Sequence, residues 1–160
     1  MKKALLFRNS LSVALLSTVM FIIAYGILWG ERYYGPLVLA STIVPVLFAK
    51  IGQMEIKGLL PDILFGTIDT GLLTVAALIG AAEFGVIGAI VGGVIGDAVT
   101  DGIAGFFEGS LSEWLRRRGI DESRTALGSA YGKMAGCLLG SGAVLSLAAL
   151  MGVELSSMKG

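Results

Sequence analysis

The sequence predicts an all-α, polytopic membrane protein with five transmembrane helices and glycine-rich packing between them. Only 15% of its 160 residues are charged and its mean hydropathy is +0.84, whereas about a quarter of a soluble domain is charged. Its 24 glycines agree with the frequent use of glycine in transmembrane helices. Five apolar segments form a single domain over residues 1–160, with predicted spans at about 11–30, 35–50, 59–82, 85–107 and 126–151.

The first span follows a basic N-terminus and ends in aromatic residues. A cleaved secretory signal has an apolar core of about 7–15 residues, whereas this run covers residues 11–30 and ends near Tyr25 and Trp29. Aromatic side chains of this kind mark the membrane interface. We therefore expect a retained first helix, with a cleaved signal as the alternative.

The second segment is short and contains Pro45, so a re-entrant loop competes with a full span. The distribution of basic residues favours the span. With five spans and a cytoplasmic N-terminus, Arg32 and Lys159 lie outside and all other extramembrane basic residues lie inside: Lys2, Lys3, Arg8, Lys50, Lys57, Arg116, Arg117, Arg118 and Arg124. A four-span topology would place the arginine cluster 116–118 outside, against the positive-inside rule.

The polar stretch 108–124 follows the fourth span. Its Leu111, Trp114 and Leu115 recur at helical spacing, which predicts an amphipathic cytoplasmic extension of that helix. A solvated loop whose arginines only set the topology is the alternative.

Glycines recur every fourth residue in the last two spans. Residues four apart share a helix face, and small residues allow helices in lipid to approach closely. We expect these stripes to pack the fourth span on the fifth, or to form a homodimer interface. They comprise Gly88, Gly92 and Gly96 in one span, and Gly128, Gly132, Gly136 and Gly140 in the other.

Several ionisable residues fall inside or at the ends of the predicted spans. Asp97, Asp101 and Glu108 share one helix face. A rise of 1.5 Å per residue places Asp69 and Asp97 near the bilayer midplane. Asp101 and Lys133 lie at a shallower common level, so an ion pair between these two is one interpretation. Intramembrane charges otherwise indicate ion or proton pathways.

Carboxylate and hydroxyl oxygens suit hard divalent cations. We therefore predict an ion or proton pathway through Asp69, Asp97, Asp101, Glu108 and Lys133, with Asp69, Asp97 and Glu108 as metal ligands. Thr67, Thr70, Thr74 and Thr100 would add hydroxyls. Met134 and Cys137 are candidate softer ligands, although such residues more often serve plain packing.

The stretch 61–118 resembles the vacuolar iron transporter family. Gly66, Asp69, the pair Gly71-Leu72 and Gly80 are similar to the family's first helix, and GGVIGDAVTDGIAGFFEGSLSEWL is similar to its second. The resemblance implies five spans, a dimer, and exchange of a divalent metal for protons. It also implies that Asp69 takes the role of the first-helix carboxylate and Glu108 that of the acidic residue ending the second helix. Here Asp69-Thr70-Gly71 replaces the family's Asp-Gly pair.

These observations support two functions. The first is a small transporter or channel for cations, either divalent metal ions or protons. The second is a non-catalytic scaffold or accessory subunit that assembles through its glycine faces. We expect no enzyme and no resident cofactor, because the chain has no His, a single cysteine and no nucleophile–base pair.

The partners that we expect are the lipid bilayer and either a second copy, with a dimer favoured, or another membrane subunit. Nucleic acid is not expected, because the net charge is +0. The predicted location is a bacterial or archaeal cytoplasmic membrane, with the C-terminus outside.

Overall fold

A computed structural model describes residues 2–29, 33–117 and 125–153 of the chain; within these ranges, the side chains of residues 2, 3 and 107–116 are not described. The described residues form helices joined by short connections, with no strand among them. The predicted all-α class is therefore confirmed. The helices are α1 (Lys2–Trp29), α2 (Tyr34–Ser41), α3 (Ile43–Ile51), α4 (Ile56–Arg117) and α5 (Ala126–Leu150).

Four helical stretches of the described chain are long and apolar enough to cross a membrane: Ala4–Trp29, Tyr34–Ile51, Ile56–Phe106 and Ala126–Leu150. Their outward faces carry large apolar side chains, such as Phe21 at 78% and Phe84 at 73% exposure. An apolar surface of this extent is unfavourable in water and favourable against lipid. The fold is thus that of a membrane-embedded protein.

The second predicted span is helical but interrupted. Pro45 has no N–H with which to continue the hydrogen-bond ladder to Ser41, and α2 ends at that residue. Thr42 keeps right-handed helical dihedral angles, with φ −53° and ψ −28°, and its N–H bonds to the carbonyl of Leu39 at 3.2 Å. The interruption is therefore a kink, and α3 continues the path of α2.

The long helix α4 breaks at Gly85, where φ is 61° and ψ is −145°. Only glycine adopts such a conformation readily. We call residues 56–84 the first arm and residues 86–117 the second arm. The arms form an antiparallel hairpin, as shown by the contacts of Gly80 with Gly88, Ala76 with Gly92, Leu73 with Gly96 and Asp69 with Thr100.

Helix α5 packs between α2 and the first arm. It begins at the N-cap Thr125, whose hydroxyl oxygen accepts from the N–H of Gly128 at 3.1 Å and satisfies one of the free donors of the first turn. On one side of α5, a Cβ atom at Gly136 would lie 2.9 Å from the backbone nitrogen of Thr67. On another side, a Cβ atom at Gly142 would lie 2.6 Å from Leu39 Cα. The backbone of α5 is therefore in close contact with the backbones of both the first arm and α2.

Both glycine stripes contact the first arm rather than each other, so the prediction that they pack the fourth span on the fifth is wrong. In the second arm, Cβ atoms at Gly92 and Gly96 would lie 3.1 Å from the Ala76 carbonyl carbon and 3.2 Å from Leu73 Cα. The α5 glycines meet the first arm on a neighbouring face: Gly132 meets Asp62, Gly136 meets Ile63 and Thr67, and Gly140 meets Thr67 and Gly71. A Cβ atom at Gly128 would lie 2.8 Å from the hydroxyl oxygen of the cap residue Thr125 and 3.9 Å from Leu59 Cδ2 on the first arm.

A small core ties four helices together near the start of α5. Leu16, Ala49, Leu59 and Tyr131 are buried there. The Tyr131 hydroxyl is 2.6 Å from Ser12 Oγ, and its ring meets Phe48 edge-on with the centroids 6.2 Å apart. Because a buried tyrosine hydroxyl requires a hydrogen-bonding partner, Ser12 fixes the position of α1 at this level.

The second arm remains helical to Arg117, into the predicted extension 108–124. Residues 118–124 lie outside the described residues, and so do the side chains at 107–116. The amphipathic character of this segment therefore stays a prediction.

Candidate functional site

The candidate site lies on the seam between the two arms of α4. Leu73 and Gly96 bring the two backbones together, and one turn further along the seam Asp69 faces Thr100. The hydroxyl of Thr100 is buried and donates a hydrogen bond to Asp69 Oδ1. The same hydroxyl oxygen is 3.1 Å from the carbonyl oxygens of Gly96 and Asp97. Asp69 is therefore oriented by the neighbouring arm.

Two further carboxylates join Asp69 at the seam. One carboxylate oxygen each of Asp69, Asp97 and Asp101 lies within 4.8 Å of the other two. Asp69 is half-buried, whereas Asp97 and Asp101 are exposed. Within the described part of the chain this is the one group of three or more acidic or cysteine side chains with such spacing.

The three carboxylates repel one another when all are charged. Two unit charges at about 4.8 Å interact by about 3 kcal/mol at an effective dielectric constant of about 20, and a bilayer lowers the dielectric constant further. A shared divalent cation or bound protons remove this repulsion. Carboxylate oxygens from two helices, with room for water, are the ligands that hard divalent cations take.

Two of the other predicted hydroxyl ligands make their hydrogen bonds outside this cluster. Thr67 donates to the carbonyl of Ile63 at 2.7 Å, and Thr74 lies within hydrogen-bonding distance of the carbonyl of Thr70 and of Ser141 on α5. Thr100 is the predicted hydroxyl for which a hydrogen bond to one of the carboxylates is observed.

Lys133 lies apart from the carboxylate cluster. Its ammonium nitrogen is 5.2 Å from the centroid of the Phe65 ring, a distance within the range of cation–π attraction. Neither Lys133 nor Asp101 forms an ion pair with any residue that the structure describes. The proposed pairing of Asp101 with Lys133 is therefore wrong, because the ammonium group lies over Phe65 on the first arm whereas Asp101 is exposed on the second arm.

The remaining predicted residues do not join the cluster in the described structure. The Glu108 side chain lies outside the described residues, so its role as a metal ligand stays a prediction. Met134 packs against the small core, and Cys137 is half-buried on α5. Their positions agree with the packing interpretation.

One buried carboxylate escaped the sequence analysis. Asp62 is only 2% exposed, and the hydroxyl of Ser129 donates to its Oδ2 at 2.9 Å. It precedes Asp69 by two turns on the same helix face, about 10.5 Å along the axis. This seven-residue spacing was the available signal for it.

Comparisons with protein-family models, with curated proteins and with solved structures find no significant match to this chain. The resemblance to the vacuolar iron transporter family stays a prediction.

Proposed function

We propose that the protein moves cations, as divalent metal ions or protons, across a membrane through Asp69, Asp97 and Asp101. The observation that supports this function is the mutual approach of three carboxylate oxygens within 4.8 Å on a hairpin of apolar helices. In lipid, such residues are costly unless they bind an ion or proton or face a polar cavity.

The position of the cluster along the hairpin agrees with this function. Asp69 is about 20 Å from the start of the first arm at Ile56 and about 23 Å from its end at Phe84, at 1.5 Å per residue. It therefore lies near the middle of an arm that is longer than the hydrocarbon core of about 30 Å. A cation bound there is separated from both water phases and must be handed on by neighbouring groups.

We propose five spans with a cytoplasmic N-terminus and an outside C-terminus, in a bacterial or archaeal cytoplasmic membrane. A straight helix over Ile56–Phe106 would be about 75 Å long, more than twice the hydrocarbon thickness. The reversal at Gly85 converts it into two spans. The basic residues on the connections then follow the positive-inside rule.

The site is open on one side, which supports a homodimer in which a second copy covers it. Asp97 and Asp101 are exposed, and nothing lies within 4 Å of a Cβ atom added at Gly102 or Gly105. Small residues beside the carboxylates leave space for the close approach of another helix.

The same exposed face is the observation that favours the second candidate, a scaffold or accessory subunit. In that case the partner is a different membrane subunit and the carboxylates pair with its basic groups. The two candidates differ in a simple observable, because only the transporter binds and moves cations when purified alone.

Equilibrium binding of Mn²⁺ to the purified protein in detergent tests the cation site. The parent is expected to bind the ion, and Asp69→Asn is expected to weaken binding by about tenfold or more, because affinity depends on the number of charged ligands. Glu83→Gln, which removes an exposed carboxylate outside the cluster, is the matched control. Absence of binding, together with absence of proton movement by the parent in vesicles, contradicts the proposal.

A further inference from the structure

A large groove separates α1 from α2 and α5. It has a volume of about 890 Å³ and begins just beyond the small core, where Leu16 is fully buried. Beyond this level α1 stands away from α5, and the groove is lined mostly by apolar side chains, including Met20, Ala24 and Leu145. None of its described lining residues belongs to α4, which carries the carboxylate cluster.

Among the residues that the structure describes, Lys133 is the one charged residue that lines the groove. Its ammonium group lies over the Phe65 ring and has no carboxylate partner among the residues that the structure describes. A cation within an apolar helix needs a counter-charge or a route to the interface, and long lysine side chains extend toward the headgroups. The positive charge of Lys133 therefore favours an anionic group in the ligand that occupies the groove.

The length and the apolar lining of the groove fit an acyl chain. Lys133 and Leu145 both line it and are about 18 Å apart along α5. Half of the hydrocarbon core is about 15 Å thick. A chain that starts at the level of Lys133 can therefore run along the groove past the bilayer midplane.

We infer that this groove binds an anionic phospholipid, with one acyl chain along α1 and α5 and the phosphate at Lys133. The apolar walls bury the chain, and the ammonium group neutralises the headgroup. In the lipid-free protein the ammonium group lies over the Phe65 ring on the first arm, and the headgroup phosphate would replace that ring as its partner. This assignment is independent of cation transport.

Native mass spectrometry of the delipidated protein tests the assignment, with phosphatidylglycerol and phosphatidylcholine of identical chains as probes. The parent is expected to retain phosphatidylglycerol preferentially. Lys133→Gln is expected to reduce this preference by about fivefold, the effect of one basic residue at an anionic surface. Lys133→Arg should keep it. Lys57→Gln, which removes an exposed lysine outside the groove, should also leave the preference unchanged.

A second variant tests the place of the acyl chain. Ala24→Trp fills the groove from α1 and is expected to lower retention of both lipids without changing the melting temperature of the lipid-free protein. Equal retention of the two lipids by the parent overturns the assignment, as does an unchanged preference in Lys133→Gln. If Ala24→Trp instead dissociates a dimer, the groove holds a second copy and the lipid assignment is wrong.

Discussion

Thr100 on the second arm of α4 donates a hydrogen bond to the carboxylate of Asp69 on the first arm. Thr100 is 7% exposed, so this bond is made inside the hairpin. The bond links the two arms that reverse direction at Gly85, and one of its partners, Asp69, belongs to the candidate cation site. The packing of the hairpin and the orientation of the carboxylate therefore depend on the same contact.

Replacement of Thr100 by valine is expected to lower the free energy of unfolding by about 1–3 kcal/mol, because a charged acceptor loses its buried donor. Chemical or thermal unfolding in detergent measures the change. Thr100→Ser should retain most of the stability. The control Thr18→Val removes an exposed hydroxyl that bonds within α1 and should cost about 0.5 kcal/mol or less. Equal losses in Thr100→Val and Thr18→Val would show that the interarm bond has no special weight.

Asp101→Asn is expected to leave the free energy of unfolding unchanged or to raise it, because it removes one of three mutually repelling charges and breaks no ion pair. Asp101 is exposed, and Lys133 lies over the Phe65 ring and not beside Asp101. Had the two formed a buried pair, removal of one charge would cost about 3–5 kcal/mol. A loss of that size in the unfolding experiment would restore the pairing and refute the packing described above.

Gly136→Leu is expected to destabilise the protein strongly, because the new side chain would overlap the carbonyl of Ile63 on the first arm. Gly102→Leu places the same side chain in open space and should leave the monomer stable. Melting temperature in detergent compares the two. If Gly102 lies in a dimer interface, its variant should still melt normally but elute as a smaller species. Normal melting of Gly136→Leu would contradict the contact of α5 with the first arm.

A cysteine at position 112 reports the side of the membrane on which the end of the second arm lies. On a Cys137→Ser background, Ser112→Cys is expected to resist membrane-impermeant thiol reagents added to intact cells and to react after permeabilisation. The reason is the excess of basic residues on that side. Labelling from the outside would contradict the five-span topology.

The periodicity of the sequence indicated which glycines face other helices but not which helices they meet. The stripes at Gly92 and Gly136 were apparent, and both are close-packed. Spacing within a helix fixes the face that a residue occupies relative to its own neighbours. The helix that each face contacts depends on how all the helices are arranged in the bilayer plane. The local sequence of a single helix does not determine that arrangement.

The same limit explains the outcome for the charged residues. Helical rise placed Asp69 and Asp97 at similar depth, and the structure brings their carboxylates together. Depth alone also suggested that Asp101 meets Lys133, yet these two point to different neighbours. Depth gives only the position along the bilayer normal. Two residues at the same depth can therefore be in contact or can lie on opposite sides of a helix.

Cation flux into proteoliposomes, measured for the parent and for Asp97→Asn, tests the central claim most directly. The asparagine is nearly isosteric and removes one of three mutually repelling charges, so the variant is expected to melt at or above the parental temperature. Its flux of divalent metal ions or protons is expected to fall to the level of empty vesicles, while Glu83→Gln transports normally. Normal flux in Asp97→Asn, or no flux in the parent, would contradict transport through the carboxylate cluster and leave the scaffold as the function.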